Sequence, residues 1–146
     1  MRWAALAMLA AIGCGGAPDP DGLDGTGWVF SNSNTCSTGL TFTDGDYELL
    51  FLCSLPGGTY GLQVNAGHYD IAGRDLNVLR TRASCDWAVE QSAYSWAIES
   101  GNLVLQNTAG IASYDRIPPG GGYQFLGTFG CFDADLNFTP MAVHDL

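Results

Sequence analysis

The sequence predicts an all-β chain: an antiparallel up-and-down meander of about eight to ten short strands that closes into a barrel. Three observations carry this. After Gly27, apolar residues alternate in short runs, and turn residues interrupt them at intervals of about ten, which is strand patterning. Several interruptions are two-residue turns of the kind that join adjacent antiparallel strands, such as Asp44-Gly45 and Ser100-Gly101. No segment carries a long apolar stripe at helical spacing. The nearest is Cys85 to Tyr94, with room for a helical turn or two, or a loop.

The first residues are not part of that pattern. Arg2 is followed by an apolar run of ten, Trp3 to Ile12, and then by Gly13, Cys14, Gly15 and Gly16. Ten residues are too few to span a bilayer as a helix, and a charged start with a small-residue exit is the pattern of an export signal. Ala11-Ile12-Gly13-Cys14 resembles the lipobox of bacterial lipoprotein signal peptides, which are cut before the cysteine. The resemblance implies that Cys14 becomes the first residue, carries acyl chains and holds the protein on a membrane. Two chains are enough for stable anchoring. The residue after Cys14 is not Asp, which by resemblance to enterobacterial lipoproteins implies the outer membrane of the cell envelope. A plain secretory signal is the other reading. Residues 1–13 are thus expected to be a leader, 14–26 a lipidated cysteine with a flexible Gly/Pro/Asp tether, and 27–146 one domain.

Within the domain the expected strands are Trp28 to Ser31, Thr38 to Thr43, Tyr47 to Ser54, Thr59 to Asn65, His68 to Ala72, Leu76 to Arg82, Tyr94 to Glu99, Asn102 to Gln106, Ser113 to Ile117 and Tyr123 to Phe132. Asp44-Gly45 favours a two-residue turn with both residues at positive φ. Partners then sum to 89: Phe42 faces Tyr47, Leu40 faces Leu49, Thr38 faces Phe51 and Cys36 faces Cys53. That last pair falls at a non-hydrogen-bonded position, where Cα atoms lie about 4.5 Å apart, within disulfide range. With Cys14 consumed by lipid, Cys36–Cys53 leaves Cys85 to pair with Cys131. A three-residue loop would shift the sum to 90 and break this pairing. Leu50 and Leu52 interrupt the alternation on the other face and would need a cover. Ser100-Gly101 sets Ile98 opposite Leu103 and Trp96 opposite Leu105, and Gly73-Arg74 sets Ile71 opposite Leu76 and Tyr69 opposite Val78.

This succession of hairpins is similar to the lipocalin-like small barrels of bacterial lipoproteins. Trp28, preceded by Gly25 and Gly27, resembles the Gly-x-Trp of the opening lipocalin strand, with Gly27 directly beside the tryptophan. Arg116, in Tyr114-Asp115-Arg116, stands where that family places an arginine over the tryptophan. The resemblance covers about residues 27 to 117 and implies a barrel that holds a small ligand.

Composition removes several function classes. The chain has five basic residues, all Arg, against 15 acidic ones, for a net charge of −10, and removing Arg2 with the leader makes it −11. Such a surface repels phosphate backbones, so a nucleic-acid partner is not expected. The two histidines, His68 and His144, have no metal-ligand spacing and do not suit a Ser-His-Asp arrangement. Asp19-Pro20-Asp21-Gly22 begins like a calcium loop, but Leu23 and Phe30 occupy its fifth and twelfth positions. Gly120-Gly121-Gly122 lacks the lysine of a phosphate loop. No carboxylate pair is singled out by spacing, and neither enzymatic activity, a metal nor a cofactor is expected.

If alternation continues from Leu76 and Val78, Arg80 and Arg82 both point inward near the barrel mouth, where two guanidinium groups could grip a carboxylate or phosphate. A bulge, or pairing with the surplus acids, would undo that arrangement. Tyr60, Trp87, Tyr94 and Trp96 would line a ligand cup or simply fill the interior. The expected function is a lipid-anchored extracytoplasmic binding protein for a small apolar or amphipathic ligand. The alternative is a protein-interaction or inhibitor module of the cell envelope with a filled barrel. Interior volume separates the two.

Overall fold

The computed structural model describes residues 22–85, 89–118 and 127–146. The leader, Cys14, the first tether residues, Trp87 and the Gly120-Gly121-Gly122 segment lie outside the described residues. The strands are β1 (Thr26–Ser31), β2 (Cys36–Thr43), β3 (Asp46–Ser54), β4 (Tyr60–Ala72), β5 (Asp75–Ala83), β6 (Glu90–Glu99), β7 (Asn102–Asn107) and β8 (Gly110–Arg116), followed by β9 (Thr128–Phe132), β10 (Phe138–Pro140) and β11 (His144–Asp145). β1 to β8 pair with their sequence neighbours, all antiparallel, and β8 returns to β1 through Trp28 opposite Arg116. The eight-stranded barrel is therefore closed, and closure removes the free edges an open meander would present.

The predicted hairpin registers are present. Asp44 and Gly45 have φ of 52° and 84°, as a two-residue turn of that hand requires, and Ser100 and Gly101 repeat it at 53° and 83°. Cys36 stands opposite Cys53 and is bonded to it across a Cα separation of 4.1 Å. Trp96 faces Leu105, Ile98 faces Leu103, Ile71 faces Leu76 and Tyr69 faces Val78. The second bond, Cys85–Cys131, is also formed.

Four expectations are corrected. Glu90–Glu99 is a strand, so the second half of the stretch considered for a helical turn, from Glu90 to Tyr94, is extended. The two segments Thr59–Asn65 and His68–Ala72 are one continuous strand of 13 residues, Tyr60–Ala72. The folded part also reaches back to Leu23, inside the stretch assigned to the tether: Leu23 is buried in the core, and its carbonyl accepts from the Thr26 amide and hydroxyl. The fourth concerns the two arginines. Ala66 faces Arg82 while Gly67 faces Arg80, so Thr81 is an extra residue on β5. The bulge keeps Arg80 in phase with Leu76 and Val78 and throws Arg82 to the outside, where its Nε lies 3.2 Å from Asp145. Gly67 is required there, because a Cβ on it would overlap the Leu79 carbonyl oxygen. The carbonyl of Thr81 accepts from the amide of Leu146 at 2.7 Å, which continues the pairing of β11 with β5.

The long β4 serves two neighbours. Its later residues pair with β5, whereas Gly61 and Leu62 pair in parallel with Thr128 and Phe129 of β9. Ser84, fully buried, ties the junction: its amide donates to the Val64 carbonyl, its hydroxyl accepts from the Val64 amide at 3.0 Å, and that hydroxyl donates to the Gly130 carbonyl at 2.6 Å. Phe132 packs on Phe51 and Phe138, with ring centroids 5.4 and 4.9 Å away, and Gly61 leaves space for both Phe132 and Phe138. Leu52, Leu62 and Val64, on the outer face of the same strands, are buried as well, so the cover that the irregular alternation of β3 demands is present.

Candidate functional site

One end of the barrel is packed solid. Trp28 is fully buried, and Leu23, Phe42, Leu76, Leu103 and Trp96 are packed in the same cluster. Both indoles are satisfied within the chain: Trp28 Nε1 donates to Thr26 Oγ1 at 2.7 Å and Trp96 Nε1 to the Gly73 carbonyl at 3.1 Å. The guanidinium of Arg116 lies 5.1 Å from the Trp28 ring centroid, at cation–π distance. Trp28 and Arg116 thus form the pair that the resemblance implies.

Toward the other end the strands enclose a cavity of about 430 Å³ that opens beside the β7–β8 turn. Its floor is apolar, made by Leu40, Phe42, Leu76, Val78 and Leu105. Above the floor stand Tyr47, Tyr94 and Tyr114, each brought inward by strand alternation. None of their hydroxyls makes a hydrogen bond among the described residues. Burial pushes the phenols of Tyr47 and Tyr114 above their ordinary range, against a lowering contribution from Arg80 in the case of Tyr47. Both therefore remain protonated near neutral pH and available as donors.

The polar part of the wall is built where β5 and β6 pair. Arg80 faces Glu90 across the ladder, and Arg80 Nη1 lies 3.3 Å from Glu90 Oε1 and donates to Asn65 Oδ1 at 3.2 Å. Asn107 and Ser92 complete this side. The composition, an apolar pocket with a few convergent polar groups, is that of small-molecule sites, and its volume falls in their range.

Of the residues singled out from the sequence, Arg80 and Tyr94 line the cavity. Arg82 lies in an outer groove with Asp46, Glu48 and His68, where His68 Nδ1 and Asp46 Oδ1 are 2.7 Å apart. Tyr60, the first residue of β4, is exposed and is not among the described residues that line this cavity. Trp96 fills the closed end. Glu90, Asn65, Tyr47 and Tyr114 were missed; Glu90 was legible only through the register that sets it opposite Arg80. A wider surface hollow of about 850 Å³ outside β5 to β7 is lined by polar side chains such as Asp75, Asn77, Ser95 and Gln106, and supplies no apolar enclosure. Among the described residues no group of His, Cys, Asp and Glu has the arrangement to hold a metal ion.

In comparisons with known proteins, no family model, no curated protein and no solved structure matches the chain. The fold itself, an eight-stranded antiparallel barrel, is compatible with a lipocalin-like one.

Proposed function

We propose that this chain is a lipid-anchored binding protein of the bacterial cell envelope, held by acyl chains on Cys14, that takes a small apolar or amphipathic ligand into its barrel. The observation that carries the binding reading is the cavity of about 430 Å³, with an apolar floor and three tyrosine hydroxyls that make no hydrogen bond among the described residues. In a barrel whose interior served only as core, such hydroxyls would find partners within the chain, as the indoles of Trp28 and Trp96 do. A hollow end favours this reading over the filled-barrel alternative. The anchor reading rests on the leader pattern and on the lipobox resemblance at Cys14.

Native mass spectrometry of the purified protein, offered a panel of medium-chain alcohols, acids and amines, is the test. One-to-one complexes that disappear in Val78→Trp, which fills the cavity, support the reading. Absence of any complex across the panel overturns it. For the anchor, Cys14→Ser should move the protein from the membrane to the soluble fraction and remove acyl-lipid labelling; an unlabelled parent chain would overturn that part.

A further inference from the structure

We infer that the ligand is a carboxylate-bearing amphiphile of medium chain length, and that Glu90 is the side-chain carboxylate it displaces from Arg80. This rests on the cavity reading above and adds the charge of the ligand. Arg80 is the one cation among the described residues that line the cavity. The two members of the Arg80–Glu90 pair are held very differently. The Arg80 side chain is 10% exposed and the Glu90 side chain 59% exposed. Glu90 opens β6, follows the exposed Val89, and among the described residues its side chain pairs with Arg80.

A guanidinium taken out of water needs an anion, whereas a carboxylate that is more than half in water gains little from the pair. Glu90 can therefore be exchanged for another anion at small cost, while Arg80 stays in place. What the cavity presents at its polar end is an anion position filled by an exchangeable carboxylate. A ligand carboxylate has the same planar, two-oxygen geometry and can accept from the same fork. Asn65 buttresses the guanidinium through its Oδ1, and the protonated Tyr47 stands on the same wall as a further donor. The negative charge of the whole domain does not oppose this, because charges beyond about 10 Å are screened at ordinary salt whereas the contact at Arg80 is direct.

The floor sets the tail. From Arg80 to Leu76 along β5 is four residues, or about 13 Å of strand, the length of an extended alkyl chain of about ten carbons. Head on Arg80 and tail over Val78 and Leu76 is then the bound orientation, with Leu40, Phe42 and Leu105 closing around the tail.

The test is calorimetric titration of the purified full chain with decanoate and decan-1-ol at neutral pH. Decanoate should bind at least ten-fold more tightly than the alcohol. Arg80→Gln should remove that preference while leaving alcohol binding in place, which also shows that the variant is folded. Glu90→Gln, with its folding checked by circular dichroism, should tighten decanoate three-fold or more relative to the alcohol. Equal binding of acid and alcohol, or weaker decanoate binding by Glu90→Gln, overturns this inference and leaves the cavity reading intact. Failure of both compounds to bind overturns both.

Discussion

The two ends of the barrel use aromatic residues in opposite ways. At the closed end the indole N–H groups of Trp28 and Trp96 are bonded to Thr26 and Gly73, and the rings are packed. At the open end Tyr47, Tyr94 and Tyr114 line the cavity, and their hydroxyls make no bond among the described residues. Amount of aromatic surface does not separate core from site here. Where the polar atom of each ring goes does, because a buried polar group without a partner costs free energy unless water or a ligand meets it.

The largest expected effect is at the closed end. Trp28→Ala removes a fully buried ring and should cost about 3–5 kcal/mol, read as a shift in the denaturant midpoint with the disulfides intact. A loss near zero would mean that the closed end is not the stabilising half. Thr26→Val is a finer change: it keeps the side-chain volume but takes the acceptor from the Trp28 indole and the donor from the Leu23 carbonyl. The Leu23 carbonyl keeps the Thr26 amide, but the buried indole N–H is left unmet, which should cost about 1–3 kcal/mol. Its counterpart at the open end, Tyr114→Phe, removes a hydroxyl that makes no bond within the described protein and should change stability by less than about 0.5 kcal/mol. Comparable losses from the last two substitutions would erase the distinction between the ends.

Alkaline titration sharpens it further. Burial raises the phenols of Tyr47 and Tyr114, so in the folded state they bind protons that the unfolded chain has already released. Stability from this source is complete below the ordinary tyrosine value near pH 10 and is lost as pH rises through the raised values. Absorbance at the phenolate band should therefore show these tyrosines ionising late, together with loss of structure. Ionisation at the ordinary value in both would place their side chains in water.

Much of the barrel was legible because two-residue turns leave no freedom of register. Asp44-Gly45 sets every pair from Thr43–Asp46 to Cys36–Cys53, and Ser100-Gly101 does the same for Trp96 and Ile98. The bulge was not legible. Arg80-Thr81-Arg82 continues the alternation of β5 without a break, and its only trace lies on the partner strand, at Gly67, where the side chain must be absent. Of the tail strands, β9 falls within the expected segment Tyr123 to Phe132, whereas β10 and β11, two to three residues long, exist because β9 and β5 offer them edges to pair with. Ser84 carries no local signal either, since its role comes from two strands distant in sequence meeting over one hydroxyl. At the site, Arg80 was visible by alternation, whereas Glu90 required the β5–β6 pairing.

The contrast between the ends is tested most directly by nuclear magnetic resonance of the protein titrated with decanoate. Saturable shifts should appear at the methyl groups of Leu40, Leu76, Val78 and Leu105 and at the rings of Tyr47, Tyr94 and Tyr114, while the indole N–H signal of Trp28 stays in place. Shifts centred on the outer groove of Asp46, His68 and Arg82, or movement of the Trp28 indole with the cavity methyl groups unchanged, would contradict the account.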